Sequence, residues 1–153
     1  MTITHKDAMK PIIVIPALNE APTVPAVVAE ARAYGHVLVV DDGSVDDTAA
    51  AAARAGAEVL RHRRRLGKGQ ALRTGIAAAR ARAASVIVTL DADGQHDPRD
   101  IPALLGAAAR WPRAIIIGNR LADGSLPSGR LNAVRVAGFF VNWVTGLAVA
   151  DTQ

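Results

Sequence analysis

Residues 86–95, VIVTLDADGQ, join a predicted buried strand to a pair of carboxylates, and they are the clearest indication of the fold class. Its first five residues are apolar or β-branched, as expected for a strand that is covered on both faces. The strand ends at Asp91, and Gly94 lets the chain turn directly behind it. A buried strand that carries polar groups at its carboxyl end is typical of α/β proteins with a parallel sheet.

On either side of residues 86–95, short apolar runs alternate with alanine-rich segments, which predicts βαβ units. The other predicted strands are 12–15 (ending at Pro16), 37–40, 58–60 and 114–117. The predicted helices are 24–33, 48–55, 70–83 and 98–109, with a last helix from about 130 to 147. No repeat or linker divides the chain, so we expect residues 1–153 to form one α/β domain, with a mostly parallel central sheet flanked by helices.

Composition excludes several kinds of chemistry. The chain has no cysteine, which removes disulfides, thiolate metal sites and thiol nucleophiles. Its formal net charge of +4 favours a polyanionic partner, without choosing among nucleotides, nucleic acid and an anionic membrane.

The first residues lack the apolar core of a secretory signal, and the apolar stretch 136–150 is too short to span a bilayer. We therefore expect a cytoplasmic location.

Asp91 and Asp93 form the strongest candidate site. Two carboxylates at this spacing beyond a strand can share a hard cation and leave positions for diphosphate oxygens, and Mg²⁺ and Mn²⁺ prefer such oxygen ligands. On the pattern alone, a solvated acidic turn is the commoner explanation. His96, which follows closely, is expected to be a surface loop residue, and the other three histidines show no metal spacing.

A second acidic pair, Asp41 and Asp42, ends a different predicted strand and is followed by Gly43 and Ser44. An Asp at such a position can accept hydrogen bonds from a base N–H or a ribose hydroxyl. A turn before a helix cap explains the same residues equally well. With the first pair nearby, we expect Asp42 to be a ligand group with little structural role.

The basic segment 61–70, RHRRRLGKGQ, places Lys68 between two glycines ahead of a predicted helix. Glycine lets the backbone approach a ligand closely, and helix N-termini attract anions, so Lys68 is expected near diphosphate oxygens. The four arginines are more often a solvated loop than a nucleic-acid or membrane contact.

Together, residues 15–20 (IPALNE), 39–44 (VVDDGS), 67–71 (GKGQA) and 90–98 (LDADGQHDP) resemble, in order and spacing, the family 2 glycosyltransferases. They are most similar to the dolichyl- and polyprenyl-phosphate sugar transferases. The resemblance implies a Rossmann-like GT-A nucleotide-sugar-binding fold. The residues it implies for the nucleotide-sugar pocket are Pro16, Leu18, Glu20, Val40, Asp42 and Ala92. The implied metal ligands are Asp91, Asp93 and Gln95, and the catalytic residues are Asp93, Arg120 and Arg130, the two arginines lying near the donor and acceptor phosphates.

The implied reaction is inverting, metal-dependent transfer of a hexosyl unit from a UDP- or GDP-sugar to a polyprenyl or dolichyl phosphate, with Mg²⁺ or Mn²⁺ as cofactor. The expected partners are a nucleotide sugar and a lipid-linked phosphate acceptor at the cytoplasmic face of a membrane, in cell-envelope glycan biosynthesis, and no nucleic acid. The alternatives are transfer to a sugar hydroxyl and a non-catalytic nucleotide- or nucleic-acid-binding module. The family usually continues into a Ser-Gly-Phe-Arg segment where this chain stops at Gln153, so we expect truncation on the acceptor side.

Overall fold

The computed structural model of the protein describes residues 10–118. Arg120, Arg130 and the predicted helix 130–147 lie outside that range. The chain divides into two compact units, Met1–Ala109 and Arg110–Gln153, and the strands found within residues 10–118 all lie in the first. Within the described range, no helix is long and apolar enough to cross a bilayer.

Strands and helices alternate, as predicted. The strands are β1 (Pro11–Ala17), β2 (His36–Asp41), β3 (Glu58–Arg61) and β4 (Val86–Thr89). The helices are α1 (Val24–Ala31), α2 (Thr48–Arg54), α3 (Lys68–Ala81) and α4 (Ile101–Arg110), the last preceded by a 3₁₀ turn over Pro98–Asp100. Because α3 begins at Lys68, this side chain belongs to the first turn of the helix and not to the loop ahead of it.

The four strands form one parallel sheet in the order β3-β2-β1-β4, which confirms the α/β fold class. Successive β1 side chains face opposite sides, so Ile13 and Ile15 pack with α1 and α2 residues while Val14 packs toward α3. The strand order reverses between β1 and β4, after β2 and β3 have been added on the other side. Ligands of open α/β sheets bind at such a reversal, beyond the carboxyl ends of the strands.

Pro16 lies inside β1, whereas the sequence predicted that the strand ends there. The Val14 carbonyl accepts a hydrogen bond from the Leu90 amide at 3.2 Å, so Val14 turns its backbone polar groups toward β4, and by alternation Pro16 does too. Pairing with β4 ends at Val14, so no N–H is required at Pro16. A proline in this central strand therefore costs no ladder hydrogen bond.

The predicted fifth strand, 114–117, is wrong. Ile115 and Ile117 are 91% and 50% exposed, and the segment has no strand structure. A strand requires a neighbour for its backbone N–H and C=O groups, and an apolar run in the sequence does not show whether one is present.

Candidate functional site

A cleft of about 180 Å³ opens at the carboxyl ends of β1 and β4. Its lining residues are Pro16, Ala17, Leu18, Glu20, Asp42, Arg65, Lys68, Ala71, Asp91, Ala92 and Asp93. Most of the site residues expected from the sequence are therefore brought together. Val40 is not, because it is fully buried in the sheet with its side chain toward α3, and Gln95 does not line the cleft either.

The loop after β1 is fastened to the loop after β2. Asn19, in the left-handed region at φ 57°, donates its amide to Ser44 Oγ at 2.9 Å and accepts from the Val45 amide at 3.0 Å. The Glu20 amide donates to Thr48 Oγ1 at 2.8 Å. These bonds hold Leu18 and Glu20 at the cleft. Their only signal in the sequence is an Asn and a Ser at turn positions.

Asp41 is structural. Its side chain is fully buried, and Oδ1 accepts from the Ser44 amide at 2.9 Å. Oδ2 lies 3.0 Å from Arg61 Nε, in an orientation that makes an ion pair but not a hydrogen bond. Arg61 also donates to the Ser44 carbonyl at 2.8 Å, so Asp41 and Arg61 together close the turn after β2.

Asp42 lines the cleft, but the expectation that it has little structural role is wrong. Its buried carboxylate accepts from the amides of Leu66 at 2.9 Å and Gly67 at 2.7 Å, and pairs with His62 Nδ1 at 2.7 Å. Burial alone raises the pKa of Asp42, but the hydrogen bonds from His62 and the two amides outweigh it and lower the pKa below its usual value. Contact with a base or ribose stays a prediction.

The basic loop between β3 and α3 packs directly on the turn after β2. Gly43, at φ 78°, lies so close that a Cβ would be 2.5 Å from the Arg64 carbonyl carbon and 2.7 Å from the Arg65 nitrogen. Only glycine fits this approach. Arg63, Arg64 and Arg65 form no ion pair with other described residues, and Arg65 lines the cleft. The prediction that Arg65 belongs to a solvated group of arginines did not place it at the cleft.

The turn after β4 presents its carboxylates to Lys68. Lys68 Nζ lies 2.8 Å from Asp91 Oδ1, with side-chain exposures of 61% and 24%. Asp93 Oδ1 accepts from the Gln95 amide at 2.9 Å, and Gly94 makes the turn at φ 76°. Among described partners, Asp93 Oδ2 has none, so it remains available to a ligand.

His96 shapes the same turn. The Asp91 amide donates to His96 Nδ1 at 3.0 Å, so the neutral ring carries its proton on Nε2. His96 is half-buried and is therefore more than the surface loop residue expected from the sequence.

The carboxylates of Asp91 and Asp93 suit a divalent metal that takes its remaining ligands from a bound phosphate compound and from water. No group of three or more acidic, His or Cys side chains with metal-binding geometry occurs within residues 10–118. Mg²⁺ commonly uses one or two protein carboxylates and takes its other ligands from phosphates and water, which fits Asp91 and Asp93. Lys68 already neutralises part of this charge.

The chain is similar in sequence to one protein family and to several of its members. The chain matches the Glycosyl transferase family 2 model over residues 12–137. It is 33% identical to an uncharacterized protein of Methanocaldococcus jannaschii, over 92% of this chain and 60% of that protein. It is 30% identical to polyprenol monophosphomannose synthase of Mycolicibacterium smegmatis, over 97% of this chain and 60% of that protein.

Among solved structures, glucosyl-3-phosphoglycerate synthase from Mycobacterium tuberculosis, in complex with Mn²⁺, UDP and glucosyl-3-phosphoglycerate, aligns with a TM-score of 0.55 and 29% identity. The alignment covers 65% of this chain and 39% of that one. The chain spans 41 to 60% of the first curated relatives' length. These similarities confirm the GT-A fold and the resemblance to polyprenyl-phosphate sugar transferases. The chain belongs to glycosyl transferase family 2.

Proposed function

We propose that the protein transfers a hexosyl unit, with inversion, from a UDP- or GDP-sugar to a polyprenyl phosphate, and uses Mg²⁺ or Mn²⁺. The observation that carries this proposal is the cleft beyond β1 and β4, which is lined by two cationic side chains, Arg65 and Lys68, and by four carboxylates: Glu20, Asp42, Asp91 and Asp93.

The mixed charge of the cleft supports a diphosphate donor that binds together with a metal. Asp91 and Asp93 repel a bare diphosphate, but they attract a cation that the diphosphate also binds. Arg65 and Lys68 lie on the same cleft and provide charge-assisted hydrogen bonds to phosphate oxygens. A bound divalent cation supplies Lewis-acid stabilisation of the leaving diphosphate. The Mn²⁺ and UDP in the mycobacterial structural neighbour support the same arrangement.

The remaining roles rest on the resemblance. The resemblance assigns Arg120 to the donor phosphate and Arg130 to the donor and acceptor phosphates. The resemblance also assigns Val40 to the base side of the pocket and Gln95 to the metal, but neither residue lines the cleft. The acceptor is presented at the cytoplasmic face of a membrane, where the protein associates peripherally and serves cell-envelope glycan biosynthesis.

The acceptor class follows from proton chemistry. A phosphate acceptor is already anionic at neutral pH and requires no general base, whereas an acceptor hydroxyl does. The sequence similarity to a polyprenol monophosphomannose synthase favours the lipid phosphate. The structural similarity to a glucosyl-3-phosphoglycerate synthase makes 3-phosphoglycerate the second candidate acceptor.

The test is a titration of UDP- and GDP-sugars in Mn²⁺ and in EDTA, followed by transfer assays with polyprenyl phosphate and with 3-phosphoglycerate. We expect metal-dependent binding of one donor and product on the lipid phosphate. If sugar is transferred only to 3-phosphoglycerate, then 3-phosphoglycerate is the acceptor and the polyprenyl phosphate is not. Absence of any metal-dependent nucleotide binding, or binding of an oligonucleotide instead, overturns the proposal.

A further inference from the structure

His62 lies between two elements that border the cleft. Its side chain is 11% exposed, with Nδ1 2.7 Å from Asp42 Oδ1 and Nε2 3.0 Å from Thr74 Oγ1. Asp42 follows β2, and Thr74 lies on α3, so the ring bridges the sheet and the helix. Its sequence position suggested no role, because its partners are 20 and 12 residues away.

The hydrogen-bond partners define the ring's protonation in the neutral state. A carboxylate only accepts, so Nδ1 carries the proton and donates to Asp42, and Nε2 accepts from the Thr74 hydroxyl. Replacement by an apolar residue removes a donor from a buried carboxylate and frees that carboxylate to rotate. Buried polar groups that lose a partner are costly, so the surrounding loop rearranges to satisfy them.

The carboxylate that His62 holds is also the anchor of the basic loop. Asp42 accepts from the amides of Leu66 and Gly67, and the next residue, Lys68, begins α3. Arg65 lies immediately before this anchored pair, and both Arg65 and Lys68 line the cleft. The orientation of the Asp42 carboxylate therefore determines the backbone positions from which Arg65 and Lys68 extend.

We propose that His62 is a positioning residue, which fixes the cationic wall of the cleft through Asp42 and Thr74 and thereby prepares it for the diphosphate of a nucleotide. The inference rests on the proposed function, since it assigns the wall a diphosphate ligand. Preorganised side chains lose less conformational entropy when a ligand binds, so the bridge raises affinity without touching the ligand.

The first experiment measures the Kd of UDP and GDP in Mn²⁺ by calorimetry for wild type, His62→Ala, His62→Asn and Thr74→Val. His62→Ala is expected to weaken binding about tenfold, and Thr74→Val about fivefold, since each loses a link of the bridge. Asn places its amide near the position of Nδ1, so His62→Asn should restore most of the affinity. His36→Ala is the matched control, because His36 also pairs with a carboxylate, Glu58 at 2.9 Å, but does not line the cleft.

A purely structural role predicts a lower Tm with an unchanged Kd. Unchanged Kd in folded His62→Ala, or no recovery in His62→Asn, overturns the proposal. Thr74→Val decides the question if His62→Ala does not fold, because its shape is close to that of threonine: wild-type affinity then overturns the bridge.

Hydrogen exchange separates this inference from the proposed function. The Leu66 and Gly67 amides should exchange faster in His62→Ala than in wild type and His36→Ala, with or without nucleotide. If wild type binds no nucleotide, the proposed function fails. Faster exchange at these two amides then still supports the positioning role, and unchanged exchange removes it.

Discussion

Lys68 Nζ lies 2.8 Å from Asp91 Oδ1, so a lysine at the first turn of α3 is paired with the first carboxylate of the proposed metal pair. A metal ion bound by the proposed pair would therefore compete with Lys68 for Asp91. A diphosphate changes this balance, because its oxygens provide Lys68 with another partner. The geometry favours joint arrival of metal and nucleotide over binding of the metal alone.

Lys68→Met should consequently have two effects of opposite sign. Mn²⁺ alone should bind up to about fivefold more tightly, the range expected when an exposed ion pair is removed. Mn²⁺ with UDP or GDP should bind at least about tenfold more weakly, because a charge-assisted contact to phosphate is lost. Calorimetry measures both. Lys10→Met, at the opposite end of β1, is the charge-matched control, and a change of the same sign in both titrations contradicts the competition.

Asp93→Asn should abolish most of the advantage that Mn²⁺ gives to nucleotide binding. The amide oxygen still accepts from the Gln95 N–H, so the turn is kept while the ligand charge is lost. We expect the Kd of the nucleoside diphosphate in Mn²⁺ to approach the value measured in EDTA. Asp100→Asn removes an exposed carboxylate outside the cleft and should change neither value. If wild type binds equally well in EDTA and in Mn²⁺, the metal proposal fails.

Two glycines in helices should respond oppositely to alanine. A Cβ at Gly75 would be 2.3 Å from Val14 Cγ1 and 3.1 Å from Val40 Cγ2, so Gly75→Ala forces α3 away from the sheet and should cost about 1–3 kcal/mol of unfolding free energy. Gly106 in α4 has nothing within 4 Å of its Cβ position, so Gly106→Ala should stabilise by about 0.5–1 kcal/mol. Urea unfolding of the two variants checks this. Equal effects would show that α3 does not pack as closely as Gly75 indicates.

Sequence reasoning succeeded where the signal was local. β4 and the carboxylates behind it, Asp91 and Asp93, are contiguous in sequence, and the alternation of runs predicted the parallel sheet. It failed at 114–117, where an apolar run alone does not reveal a strand partner. The sequence also predicted that β1 ends at Pro16. A proline is tolerated there only because pairing with β4 stops at Val14, and the sequence does not show where that pairing stops.

At the candidate site, contacts between residues that are distant in sequence were also not predicted. Residues such as Lys68 were found because glycines flank them in the sequence. The links that orient them were missed, since His62, Thr74 and the Leu66 amide meet Asp42 or each other only after β2, β3 and α3 have packed. Arg65 was missed for the same reason: only its place in the lining of the folded cleft distinguishes it from Arg63 and Arg64.

The stability of the protein should depend on Asp42 in a pH window below neutrality. Its pKa is depressed in the folded state, where hydrogen bonds from His62 and two amides outweigh the effect of burial. A carboxyl with a lowered folded pKa stabilises the protein above its unfolded pKa of about 4, and this contribution is lost as the pH falls through the folded value.

Asp42→Asn should therefore lower the unfolding free energy by about 1.5–3 kcal/mol at pH 7, since a charged acceptor for three donors is replaced by a neutral amide. The difference between wild type and variant should shrink as the pH falls from about 4, the pKa of the carboxyl in the unfolded state, toward its lower pKa in the folded state. Urea unfolding from pH 7 to pH 3 measures the difference. The pKa values of Asp46, Glu58 and Asp97 are also depressed, but these groups are present in both proteins and their contributions cancel. A difference that stays constant over this range would show that the Asp42 charge contributes nothing and that only the shape of the side chain matters.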